Sequence, residues 1–181
     1  MLKGNMVGLR AIEKNDLDQL LEWRNIPELR QYFREYRELS MENQQRWYEK
    51  IVVEDQNTLM FAIIDLNTTE LLGASGLCQI NWVNRNADFS IYIGKNKMYI
   101  DSEYAIDAAT ILSKYSFEEL GLHRLWAEIY DFDEPKKGFF ERLGFTLEGR
   151  HRETYWSNGM WHGSLFYSIL DREYFNKFRC D

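Results

Sequence analysis

Apolar positions along the chain recur at two spacings, and the switch between them predicts an α/β order. Residues 7–12 read as a short first strand. Asn15 or Asp16 then stands where a helix would be capped, and Leu17, Leu20, Leu21 and Trp23 follow at helical spacing. Pro27 interrupts that helix, because the residue before a proline is driven out of the helical region. Ser40 precedes a second helix, with Asn43 and Gln44 near its third position and Trp47, Tyr48 and Ile51 on one face. Residues 58–66 are nearly all apolar, as in a strand buried on both faces. After a turn at 67–70, residues 71–80 predict another strand, and 84–86 another turn. In 87–93, Ala87, Phe89, Ile91 and Ile93 alternate with Asp88, Ser90 and Tyr92, which predicts a strand with two distinct faces.

The second half carries the clearest unit. Asp101 or Ser102 caps a long helix with Tyr104, Ala105, Ala108, Ile111, Leu112 and Tyr115 at three-and-four spacing, and Gly121 ends it. Leu125, Ala127 and Ile129 alternate on a strand. Asp133 caps the next helix, with Glu134 and Pro135 in its first turn, Phe139, Phe140 and Leu143 on its apolar face, and Gly144 as its stop. Strand, helix, strand, helix implies a right-handed crossover between neighbouring strands. A hairpin of 145–155 and 161–170 closes the chain around Asn158-Gly159. With no repeat and no linker, the 181 residues read as a single domain, 1–181.

Composition narrows the function. At 45% hydrophobic and 28% charged the chain has ordinary soluble usage. Aromatics reach 15%, enough that some are expected to line a cleft or an interface. The net charge of −7 and the lack of a dense Lys/Arg run argue against nucleic acid. An acidic chain attracts cationic amines, or is simply kept soluble by its charge. No apolar stretch is long enough to span a membrane, and the opening residues do not resemble a signal peptide. Cys78 and Cys180 are therefore expected to be reduced thiols in a cytoplasm. His123, His151 and His162 show no spacing to the cysteines that suggests a metal site.

The order of elements resembles a GNAT acetyltransferase, within the branch of ribosomal-protein N-terminal, spermidine and amino-sugar N-acetyltransferases. The residues that carry the resemblance are Val7-Gly8-Leu9-Arg10-Ala11 with Asp16-Leu17, Glu22-Trp23-Arg24-Asn25, Leu72-Gly73 and Ile80-Asn81. Tyr115-Ser116-Phe117, Leu120 to Leu125, Phe140 to Phe145, Glu148-Gly149 and Asn158-Gly159 continue it. The resemblance implies an α/β (α+β) GNAT fold, a mixed twisted central sheet of about seven strands flanked by about four helices. It also implies acetyl-CoA as acetyl donor. Two parallel strands, here 87–93 and 124–130, are expected to splay at a bulge in the first of them. The main chain of Ile91, Tyr92 and Ile93 would then grip the pantetheine arm. The loop of Lys97, Met98, Tyr99, Ile100, Asp101 and Ser102 would hold the pyrophosphate, with Lys97 near phosphate. Asp133, Lys136 and Phe140 would face the cofactor from the far side.

The sequence departs from that family at several of these points. Lys97, Tyr99 and Asp101 stand where the family's loop favours glycine or alanine, and no glycine occurs between Gly94 and Gly121. Phe140 replaces the tyrosine taken to protonate the departing thiolate. Asp133 and Lys136 replace Asn and Ser, and Gly163 stands where the branch often has Asp. Asp88 occupies the position of a strand carboxylate proposed as the base, with Glu128 a second candidate. Trp23, Arg24, Glu35, Asn81 and Tyr155 are the expected acceptor residues: the first three from the opening helical region, Asn81 from the end of the strand at 71–80, and Tyr155 from the closing hairpin. The acceptor is expected to be a small-molecule amine, an amino sugar or a protein N-terminus, and the hairpin aromatics Trp156 and Trp161 suggest a homodimer. The alternative is a binding or regulatory module that kept the fold and lost catalysis.

Overall fold

The alternating residues 87–93 lie at the centre of one mixed sheet, and the rest of the chain is arranged about them. The computed structural model describes residues 1–178. The strands are β1 (Leu2–Lys3), β2 (Val7–Ala11), β3 (Leu59–Asp65), β4 (Leu71–Asn81), β5 (Asn86–Ile93), β6 (Arg124–Tyr130), β7 (Thr146–Ser157) and β8 (Met160–Leu170). The helices are α1 (Leu17–Asn25), α2 (Pro27–Arg30), α3 (Met41–Trp47), α4 (Tyr104–Lys114), α5 (Glu134–Leu143) and α6 (Asp171–Phe178). The strands stand side by side as β1-β2-β3-β4-β5-β6-β8-β7. Among the described residues, β5 and β6 are the one pair that runs parallel. Eight strands and six helices exceed the expected seven and four because β1 has two residues, α2 four, and α6 closes the chain.

Alternation along β5 divides the interior into two layers. Phe89, Ile91 and Ile93 pack with α4 and α5 against Leu112, Leu125 and Phe140. Tyr92 packs on the opposite layer with Leu20, Trp23, Leu29 and Phe33 of the α1–α2 region. Both faces of the sheet are therefore covered, as two-faced burial requires.

Local chemistry fixes most element ends. The Ser40 hydroxyl accepts from Asn43 N at 3.3 Å while the Asn43 amide oxygen accepts from Ser40 N at 3.0 Å, which closes a capping box on α3. Ile26 is extended and Pro27 opens α2. Gly144 ends α5 at φ 92°, and Asn158 and Gly159, at φ 50° and 78°, make the hairpin turn. One expectation is met only in part and one is corrected. Asp16 stands at the N-cap of α1 as expected but makes no capping bond there: its carboxylate accepts from Arg10 at 2.7 and 2.8 Å and from Glu13 N at 2.8 Å, which closes a capping box on the 3-10 turn of residues 14–16. The bulge lies in β4 rather than β5: Gln79 and Ile80 together face Ala87, with Gln79 at φ 51°.

Cys78 is a free thiol whose burial pushes its pKa up to about 12, and Cys180 lies outside the described residues. No helix among the described residues is long and apolar enough to cross a membrane.

Candidate active site

Pairing between β5 and β6 stops after Asn86↔Arg124, Ala87↔Leu125 and Asp88↔Trp126. Beyond that point each strand keeps its other neighbour, β5 with β4 and β6 with β8, so the two are drawn apart into a fork. Gly94 N donates to Leu72 O, so the even-numbered main chain of β5 faces β4. The odd-numbered main chain, that of Ile91 included, faces the fork. Ile93 is the exception, because the following loop folds back on it: Ile93 N donates to Tyr99 O at 2.7 Å and Tyr99 N to Ile93 O at 2.8 Å.

Tyr99 fills the mouth of the fork. Its ring stacks on Tyr32 with centroids 4.1 Å apart, and its hydroxyl donates to the Asp133 carboxylate at 2.5 Å. Asp133 also caps α5, accepting from Lys136 N at 3.1 Å, and the Lys136 ammonium sits 5.3 Å from the Tyr99 ring. Burial dominates the titration here. It raises the Tyr99 phenol, with Asp133 adding to the effect, raises Asp133 against the pull of Lys136, and lowers Lys136 against the pull of Asp133 and Asp88.

The loop keeps a glycine-like path without glycine. Asn96, Lys97 and Tyr99 hold φ of 53°, 56° and 58°. Lys97 and Tyr99 are two of the three positions where the family favours glycine or alanine, so the backbone shape survives at about 1 kcal/mol of strain for each. Asp101, at the third, sends its carboxylate onto the first turn of α4. It accepts from Glu103 N at 2.9 Å, Tyr104 N at 2.8 Å and Ala105 N at 2.7 Å. The cap expected from Asp101 or Ser102 is thus Asp101, while the Ser102 carbonyl accepts from Arg142 at 3.2 Å. Lys97 pairs with Glu28 at 2.8 Å, and Lys95 with Glu70.

This donor set fits an acetyl-CoA molecule. The fork offers unpaired strand main chain to a pantetheine arm. Three convergent amides at a helix N-terminus form an anion cradle, in which the Asp101 carboxylate sits. Phe140 belongs elsewhere. It is 0% exposed and enclosed by Phe89, Phe139, Phe145 and Tyr167, so its side chain is sealed in the α5 core and does not reach the fork.

Asp88 stands at the last paired position of the fork. Burial pushes its carboxyl up to about 6, opposed by Arg34 and Lys136 and assisted by Glu128. Among the described residues it accepts no hydrogen bond. Glu128, further along β6, is fully engaged, accepting from the Ser164 hydroxyl at 2.5 Å and from Arg34 at 3.0 Å.

Beside the fork, a cavity of about 360 Å³ opens between α1, α3 and the sheet. Ser90 and Tyr92, the neighbours of Ile91, form part of its wall, and Arg24 and Glu35 line it. The other expected acceptor residues lie outside. Trp23 is buried under Gly94, where even a Cβ would come within 2.0 Å of the indole. Asn81 accepts from Asn84 N at 2.8 Å and holds a turn at the far end of β4. Tyr155 stacks on Tyr130 at 3.9 Å, on the β6 side of the fork. Sequence reasoning missed Arg37, Arg46, Trp47 and Lys50, which also line the cavity. The spacing of Arg46, Trp47 and Lys50 along one helical stretch was the available signal.

Comparison with known proteins agrees with this geometry. The sequence model described as the acetyltransferase (GNAT) domain matches residues 7–146. A putative ribosomal N-acetyltransferase of Bacillus subtilis is 35% identical over 105 residues, 58% of this chain and 56% of that protein. The spermidine N(1)-acetyltransferase of Vibrio cholerae is 26% identical over 172 residues, 93% of this chain and 95% of that protein. The crystal structure of spermidine N-acetyltransferase from V. cholerae in complex with CoA and spermine superposes with a TM-score of 0.86 at 26% identity, covering 94% of this chain and 98% of that one. These comparisons give no support to a non-catalytic module. The chain belongs to the GNAT acetyltransferase family and transfers the acetyl group of acetyl-CoA to an amine.

Proposed function

We propose that the acceptor amine enters the cavity between α1, α3 and the sheet and gives up its proton to Asp88 at the fork. The observation that carries this reading is the state of Asp88: half-buried, with no hydrogen bond from a described residue, and raised to about 6 where β5 and β6 part. A carboxylate with that affinity for protons is ionised at neutral pH yet basic enough to accept one. Glu128, tied to Ser164 and Arg34, orients the surroundings instead.

Acetyl-CoA supplies the thioester that the amine attacks. Ile91 offers its main chain to the arm, the α4 N-terminus and loop 97–102 hold the phosphate end, and Asp133 and Lys136 close the side toward α5. A cavity of about 360 Å³ admits a small amine, an amino sugar or the first residues of a peptide. The dependence on acetyl-CoA and the free thiol of Cys78 support a cytoplasmic setting. Trp156, Met160 and Trp161, each more than half exposed at the hairpin tip, support a homodimer.

The test is thiol release from acetyl-CoA with a panel of polyamines, amino sugars and N-terminal peptides. Asp88→Asn is expected to lower kcat/KM by about 10²–10⁴-fold for the best acceptor. Undiminished turnover in that variant would remove Asp88 as the base.

A further inference from the structure

The acceptor cavity has a charge opposite to that of the molecule around it. The chain carries −7 overall, yet the cavity wall holds Arg24, Arg37, Arg46 and Lys50 against one carboxylate, Glu35. Arg37 already claims Glu35 through two hydrogen bonds of 2.8 Å and, with a weaker longer-range pull from Arg24, holds it at about 2, so this carboxylate stays ionised and neutralised. Lys50 pairs with Glu54 at 2.7 Å. Among the described residues, no carboxylate forms an ion pair with Arg24 or Arg46. Arg24 is half-buried, and its guanidinium is fixed over the Phe33 ring, 4.6 Å from the centroid. A guanidinium held flat on an aromatic face keeps its N–H edge free, and that planar edge matches a carboxylate or phosphate.

We propose that the acceptor carries an anionic group, a carboxylate or a phosphate, besides its amine, and that Arg24 and Arg46 bind that group. The proposal rests on the acceptor occupying this cavity. Arg24 comes from α1 and Arg46 from α3, whereas Ser90 and Tyr92 bring the wall to β5 and the fork. An acceptor bound by its anion to the helices can therefore present its amine toward Asp88. A polycation meets two unpaired guanidinium groups and no free carboxylate on the same wall, which selects against it.

Matched acceptors decide the matter, with acetyl transfer measured at low and at moderate salt. The phosphate pair is glucosamine 6-phosphate against glucosamine. The carboxylate pair is β-alanine against β-alaninamide, and spermidine is the polycation. In at least one pair the anionic member is expected to exceed its neutral partner by about tenfold or more in kcat/KM and to lose that advantage as salt rises. The pair that responds identifies the anion. Arg24→Gln and Arg46→Gln should each raise KM for the anionic member more than for the neutral one. Calorimetric titration of the same compounds gives a second readout independent of turnover. Spermidine as the best acceptor, or anionic and neutral members used equally, overturns the proposal. Ser90→Leu separates the two levels. If filling the cavity leaves transfer to every acceptor intact, the acceptor docks elsewhere and the cavity reading itself fails. If it blocks transfer while spermidine remains preferred, only the charge argument fails.

Discussion

Asp88 brings a cost to the folded chain that its chemistry explains. Its carboxyl rises from the ordinary 3.8 to about 6 on burial, so the folded state binds its proton more tightly than the unfolded state does. Stability from this group is therefore greatest below pH 4 and falls as pH rises toward 6, leaving a penalty of roughly 3 kcal/mol at neutral pH. Asp88→Asn should raise the melting temperature at pH 7, should not do so at pH 4, and should still impair catalysis. A wild-type kcat/KM profile that climbs through pH 6 and loses that limb in the variant is the matching kinetic result. Phe140 argues the other way. Restoring the hydroxyl of related enzymes by Phe140→Tyr crowds an oxygen among the Phe89, Phe145 and Tyr167 rings of a fully buried site, at a cost of about 1–3 kcal/mol. The expected outcome is a lower melting temperature and no gain in turnover; a faster enzyme would show that the α5 core opens to the fork. Asp88 was legible in the sequence because alternation sets its face. The surroundings of Phe140 were not, since an apolar helical position reads the same beside a cofactor and in a core.

Elements show where local rules hold and where tertiary contacts override them. Ser40, Asp133, Gly144 and Asn158-Gly159 act as their types predict, because capping and turn chemistry involve only near neighbours in the chain. Asp16 holds the cap position of α1 but sends its carboxylate backwards, to Arg10 on a different element and to Glu13 N. The bulge moved to β4 because pairing between distant segments decides it. Loop 94–102 combines both effects: its left-handed Lys97 and Tyr99 keep the form of a phosphate loop, while Asp101 occupies the amides that a phosphate would use. Asp101→Asn keeps a good capping side chain but removes the competing charge. It should tighten acetyl-CoA by about three- to tenfold, consistent with about 1 kcal/mol for one charge at a helix end. Lys97→Glu should weaken binding, most at low salt. Calorimetric titration of acetyl-CoA measures both, and weaker binding by the Asn variant would mean that Asp101 assists the cofactor instead of excluding it.

At the scale of the whole molecule, the sheet is two blocks joined at a narrow seam. β1 to β5 form one block and β6, β8 and β7 the other, and the strand register between them covers only Asn86, Ala87 and Asp88. The parallel pairing of β5 and β6 followed from the strand-helix-strand order, whereas the opening beyond the seam came only with the resemblance to the family. The sign of the acceptor cavity came with neither, because Arg24, Glu35, Arg37 and Arg46 come from separate helices and loops and meet only in the folded state. On the proposed placement, acetyl-CoA in the fork would contact both blocks and so add to a junction that strand pairing leaves short. A ligand that binds only the folded state at about 100 times its Kd contributes about 2.7 kcal/mol. For a chain of this size that corresponds to roughly 5–11 °C in melting temperature. Hydrogen exchange locates the effect: amides at Ile91 and Ile93 and at the α5 N-terminus around Lys136 should slow together on binding, because they lie on opposite sides of the fork. Protection confined to one block, or no thermal shift at saturating acetyl-CoA, would show that the cofactor does not bridge the seam.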